Sequence, residues 1–144
     1  MAWHDGYLLG YVPMDATHRE FVACVAALQC AADDALLERL AAFERHAVTH
    51  FADEAEWMAK TAFPAQDCHL DEHAAVLASV REVRQILEQG GRRAVARELA
   101  QALADWFPGH ADYMDAALSH WLSQRTHGGA PVVLRRGVAR NTNA

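Results

Sequence analysis

Four long stretches of helical periodicity, separated by joints with room only for turns, constrain this chain more than any other feature. From about 16 to 31, apolar residues recur one helical turn apart as Phe21, Val22, Val25 and Leu28, with Asp15 placed as the helix N-cap. Asp33-Asp34 makes the joint to a second helix over about 35 to 61, which Pro64 closes. A third spans about 67 to 88 and stops at Gly90-Gly91. A fourth covers about 93 to 125 and ends at Gly128-Gly129-Ala130-Pro131. Long helices with short joints predict an all-α, up-down-up-down four-helix bundle. Residues 1–14, with Gly6, Gly10 and Pro13 among aromatics, read as an extended N-terminal arm laid over the body. The bundle with its arm is expected over 1–127, and 128–144 as a short C-terminal tail in which Val132-Val133-Leu134 precedes Arg135-Arg136.

Composition narrows the class. With 144 residues, 52% of them hydrophobic and only four prolines, the chain can bury one core without disulfide staples. A net charge of −6 leaves no broad basic surface, so nucleic acid is not an expected partner. No apolar run approaches the ~20 residues a bilayer span requires. The start Met-Ala-Trp-His-Asp lacks the pattern of a signal peptide, and a cytoplasmic protein with no membrane contact is the expectation. Cys24, Cys30 and Cys68 form no C-x-x-C pair and no even set, so packed, reduced thiols are expected.

Nine histidines are many for this length, and their placement matters more than their number. On the second helix His50 and Glu54 are four apart and project about 40° from one another, on the face shared or flanked by Phe43, Ala47, Phe51 and Met58. That face points into a bundle, where an unpaired carboxylate costs several kcal/mol, roughly, unless paired or bound to metal. His69 and His73 repeat the spacing on the third helix, an arrangement suited to two imidazoles on one ion. The first helix offers His18, and the fourth His110 with Asp115 five residues on. Five residues swing two side chains about 140° apart on a regular helix, so both reach one centre only if metals sit between them or the helix is distorted. Pro108-Gly109 makes such a distortion plausible.

A lone His18 or His110, or an H-x-x-x-E pair alone, is more often an ordinary core or surface feature, while H-x-x-x-H alone is evenly balanced. Four helices each offering inward ligands is a different matter. Five imidazoles and two carboxylates exceed the four ligands of a usual zinc site, so two metals are implied. Imidazole and carboxylate without thiolate suit iron, and carboxylates can bridge adjacent ions.

The set His18, His50 with Glu54, His69 with His73, and His110 with Asp115 resembles, in order and spacing, the seven-ligand set of the hemerythrins. The likeness runs from Trp3 and the MDATHREF stretch to about Leu122, and is nearest to single-domain bacterial members. The resemblance implies two iron ions joined by an oxo or hydroxo bridge, with dioxygen bound reversibly at one of them. By position, His69, His73 and His110 would hold one iron, His18 and His50 the other, and Glu54 and Asp115 would bridge both. The second iron would then keep an open position for dioxygen. Its pocket would be walled by Phe51, Trp106, Phe107 and Ala111, apolar groups that keep out bulk water. Many members carry an aliphatic residue where Phe107 stands and a larger one at Ala111, and Ala55 replaces the usual acid after the helix ligand.

The implied function is oxygen storage, delivery or sensing rather than catalysis, with dioxygen as the partner. The alternative is a di-iron oxidoreductase acting on peroxide or nitric oxide. A ferritin-like oxygen-activating site would want E-x-x-H pairs, and none occurs. His4, His46, His120 and His127 fall outside the pattern and read as surface or supporting groups.

Overall fold

The computed structural model of the protein describes residues 1–126. Among them the regular elements are all helical: α1 (Val12–Gln29), α2 (Leu36–Thr61), α3 (Gln66–Glu88), α4 (Ala94–His110) and α5 (Ala116–Thr126). A π-helical turn, Ala111–Asp115, joins α4 to α5, so these two form the fourth rod of an up-down-up-down bundle. α1 packs on α2, α2 on α3, α3 on α4 and α4 on α1, closing a ring. His127 and the expected tail at 128–144 lie outside the described residues.

Helix ends follow local chemistry, with one correction. α1 begins at Val12, several residues before the expected start, because Pro13 falls in the first turn, where its missing N–H costs nothing. Asp15 is therefore not the N-cap, which is Tyr11. Its buried carboxylate instead reaches back to accept the N–H groups of Leu9 and Gly10 at 2.8 and 3.1 Å, tying the arm to the first turn. α2 ends with Ala62 in the left-handed conformation at φ 54°, and the Phe63 N–H donates to the Met58 carbonyl at 3.0 Å. α3 closes the same way with glycines in place. Gly90 takes φ 78°, and Gly91 lies so close that an added Cβ would sit 2.4 Å from the Ile86 side chain.

The N-terminal arm is folded down rather than extended. A 3-10 turn at Asp5–Tyr7 is capped by the His4 ring, the Met1 amino group donates to the Gln29 side chain, and the Arg19 guanidinium lies 4.9 Å over Trp3. Trp3 and Tyr7 pack against the main core. A second 3-10 turn, Asp33–Ala35, leads into α2.

Two apolar clusters fill the bundle. The larger holds Phe21, Phe43, Phe51, Leu103 and Phe107, and the smaller holds Met14, Met58, Phe63, Leu118 and Leu122. On three rods, buried polar residues fall between a member of one cluster and a member of the other: Met14, then His18, then Phe21 on α1, Phe51, then Glu54, then Met58 on α2, and Phe107, then His110 and Asp115, then Leu118 on the fourth. The apolar clusters thus sandwich a polar layer.

The packed thiols do not materialise. Cys24 is half-buried, while Cys30, past the last buried residue of α1, and Cys68, turned about 100° from buried His69, are exposed.

Two substitutions test this account of the ends. Asp15→Ala leaves two N–H groups without their acceptor and should lower stability by about 1 to 3 kcal/mol in urea unfolding. Ala62→Gly relieves a left-handed alanine and should raise it by about 1 kcal/mol. Loss of stability in the glycine variant would mean that the turn, as described, is not strained.

Candidate metal centre

The polar layer contains all seven residues singled out by spacing. His18 comes from α1, His50 and Glu54 from α2, His69 and His73 from α3, and His110 and Asp115 from the fourth rod, each buried. Their ligand atoms fall into two overlapping groups in which all atoms lie within 4.8 Å of one another: Glu54, His69, His73, His110 and Asp115, and His18, His50 and Glu54.

The π turn makes this possible on the fourth rod. The Ala116 N–H donates to the Ala111 carbonyl five residues back, the bond that defines a π turn and brings residues five apart nearly over one another. His110 and Asp115 then face the same centre, with Nε2 and Oδ1 3.2 Å apart. Pro108 stands just before the turn, inside α4, and has no N–H to continue the regular ladder.

Each carboxylate divides its two oxygens. Glu54 Oε2 lies 2.8 Å from His50 Nε2 and 3.8 Å from His18 Nε2, while Oε1 lies 3.3 Å from His69 and 3.5 Å from His73. Asp115 Oδ2 faces His18 at 3.0 Å, and Oδ1 faces His69 at 2.9 Å and His110. His73 and His110 bring Nε2 to Nε2 at 3.1 Å. Even so, among the described residues both nitrogens of His18 and His69, His73 Nδ1, Glu54 Oε1 and Asp115 Oδ1 make no hydrogen bond, although buried. The inward atoms of this set, Nε2 of His18 and His69 with Glu54 Oε1 and Asp115 Oδ1, are near in distance yet misaligned for hydrogen bonding, the geometry of donors aimed at a shared third partner. Unsatisfied buried polar atoms at this density are costly, and a cation is the partner that lone pairs of both kinds accept.

The charges are strongly coupled. Burial alone would depress His18 and His69, but the carboxylates of Asp115 and Glu54 outweigh it and raise them to about 10 and about 9. Burial pushes His73 down to about 3. Burial would raise the carboxylates, yet the imidazoles around them hold both well below the ordinary range.

Aromatic groups close the layer. Phe51 stacks on His73 with ring centroids 3.8 Å apart, and Phe107 meets His18 edge-on at 5.2 Å. Trp106 stacks on His110 at 4.3 Å and is only partly buried, so of the four expected wall residues it alone also reaches the surface. Ala111 is buried in the π turn. Of the remaining histidines, His4 and His120 are exposed, whereas His46 supports the site, with Nε2 3.1 Å from His50 Nδ1.

Spacing missed Glu72. Its Oε1 accepts from His110 Nδ1 at 2.7 Å and from Trp106 Nε1 at 3.1 Å. The only signal was its place directly before His73, which says nothing of a partner across the α3–α4 interface.

Comparison with known proteins agrees with this geometry. Residues 9–122 match the family model described as the hemerythrin HHE cation binding domain. The chain is 38% identical over 123 residues to a bacteriohemerythrin of Ralstonia nicotianae, covering 85% of this chain and 89% of that one. It is 32% identical over 81 residues to a myohemerythrin of Riftia pachyptila, covering 56% and 66% of the respective chains. The chain belongs to the hemerythrin family.

Two pH effects follow. Between 6.5 and about 9 to 10, the folded metal-free chain keeps protons on His69 and His18 that the unfolded chain releases, so stability falls as pH rises through that window. Below 6.5, the unfolded chain takes up protons that folded His73, and at lower pH Glu54 and Asp115, refuse, so stability falls again on acidification. The melting temperature of chelator-treated protein should therefore peak near neutrality, and a flat profile from about pH 7 to about 9 would contradict the assigned charges. Metal uptake should release protons and tighten with rising pH, as a pH-stat titration would read.

Proposed function

We propose that the chain binds dioxygen reversibly at a non-heme di-iron centre, for storage, delivery or sensing. In this reading His69, His73 and His110 would hold one iron, His18 and His50 the other, and Glu54 and Asp115 would be shared between them. The observation that carries this reading is the division of each carboxylate, one oxygen toward the three-histidine group and one toward the two-histidine group. A single ion would leave one of the two histidine groups, and the carboxylate oxygens that face it, without a metal partner. Nitrogen and oxygen donors without thiolate suit iron, and the family described as cation binding supports a metal in this layer.

Two ferrous ions held in this layer would supply the electrons for holding dioxygen and recover them on its release. The protein's own residues make that reversal possible. Phe51 and Phe107 cover the rings of His73 and His18 and exclude the water that would carry protons in and reduced oxygen species out. With three imidazoles on one side against two on the other, the His18–His50 side would be the one short of a ligand and so the one open to dioxygen. The names of the two relatives, a bacteriohemerythrin and a myohemerythrin, support an oxygen-binding protein over an enzyme.

The test is the visible spectrum of iron-loaded, anaerobically reduced protein before air, after air and after degassing. Reversible oxygen binding gives a band that appears with air and vanishes on degassing, at two irons per chain. Direct conversion to the oxidised form with no reversible band would overturn the reading in favour of an oxidoreductase acting on peroxide or nitric oxide. Glu54→Ala removes a ligand common to both ions and should reduce iron content to one ion per chain or fewer.

A further inference from the structure

Among the described residues, His110 alone of the five imidazoles in the layer has a carboxylate on its outer nitrogen. His18, His69 and His73 have no partner at Nδ1 among those residues, and His50 Nδ1 meets another imidazole, that of His46. We propose that Glu72 is a positioning residue for the metal centre, acting with its negative charge through His110 and holding Trp106 against the same ring. The inference rests on the di-iron reading, since it concerns what His110 presents to the ion.

The geometry is specific. A carboxylate oxygen only accepts, so at 2.7 Å it fixes the proton of His110 on Nδ1 and leaves Nε2 to offer its lone pair inward. That nitrogen already faces His73 Nε2 and Asp115 Oδ1. The same Glu72 oxygen accepts from Trp106 Nε1, and the indole lies 4.3 Å from the His110 ring at an interplanar angle of 24°. One oxygen therefore sets both the tautomer of the ring and the plane in which it is held. A hydrogen-bonded carboxylate makes a ligating imidazole more basic, which favours the more highly charged state of the metal.

Position also makes Glu72 a link to the outside. Its side chain is 36% exposed while that of His110 is 2% exposed. With Trp106 it lies at one end of a cleft of about 240 Å³ between α3 and α4, whose walls include Val76, Leu99 and Leu103. The two ions are thereby unequal in their supports: a carboxylate stands behind the three-histidine side and an imidazole behind His50.

The experiment compares wild type, Glu72→Leu and Glu72→Gln as full-length chains, first checking that the metal-free melting temperatures agree. Anaerobic competition with a chromophoric chelator reads iron(II) affinity, and spectroelectrochemistry reads the midpoint potential. The leucine variant loses the acceptor and should bind iron(II) roughly 10- to 100-fold more weakly. The glutamine variant keeps an acceptor oxygen without the charge, so it should recover most of that affinity while its midpoint moves to more positive potential. A role confined to packing would leave the potential of the glutamine variant in place. Wild-type affinity in the leucine variant, or a wild-type midpoint in the glutamine variant, would overturn the proposal. If wild-type protein itself takes up fewer than two irons, the di-iron reading fails instead, and the leucine comparison can be repeated with cobalt(II) affinity.

Discussion

Two carboxylates buried among five imidazoles are the constraint on which the rest of this structure depends. Glu54 and Asp115 are 0% and 1% exposed, and removing such groups from water costs several kcal/mol each, roughly, unless charge of the opposite sign is supplied. In the metal-free chain that charge comes from protons on His18 and His69, held there to about 10 and about 9. Cations and protons would thus compete for the same lone pairs. The apolar clusters above and below it serve the same end, because they hold the helices together at levels where the polar layer contributes least.

The fourth rod shows how local geometry yields to this constraint. A regular helix would separate His110 and Asp115 by about 140° and leave the aspartate outside the layer. The π turn at Ala111–Asp115 removes that separation. Such turns are rare because their hydrogen bonds are poorer, and they cluster at functional sites. Here Pro108 already interrupts the ladder just upstream, so less regular hydrogen bonding is forfeited by the distortion.

The aromatic groups divide their work. Phe51 and Phe107 are buried and lie on the rings of His73 and His18, which suits exclusion of water. Phe107 is also stacked on Phe21 and touched by Tyr7 of the arm, so the N-terminal segment is packed onto the same wall. Trp106 differs, since it spans from a ligand ring to the surface cleft. The chain therefore carries a sealed side next to His18 and a side next to His110 where ligand, indole and a half-exposed carboxylate meet.

Much of this was written in local spacing. Apolar periodicity with Pro64 and Gly90-Gly91 as breakers was enough for four rods and their order, and four-residue intervals placed His50 with Glu54 and His69 with His73, because a helix puts such residues on one face. The start of α1 was misplaced because Asp15 looks like a cap, and only the folded arm reveals that its carboxylate binds Leu9 and Gly10 instead. Cys30 and Cys68 likewise turned outward, since a thiol carries no pattern of its own. Glu72 was invisible for a deeper reason: its partners, His110 and Trp106, lie 38 and 34 residues away on another helix. The sequence by itself determined which side chains share a helix face, through the fixed pitch of the helix. Only the tertiary structure decided which faces meet, where the fourth rod must distort, and which carboxylate stands behind a ligand, because those depend on packing between helices that no interval along one helix encodes.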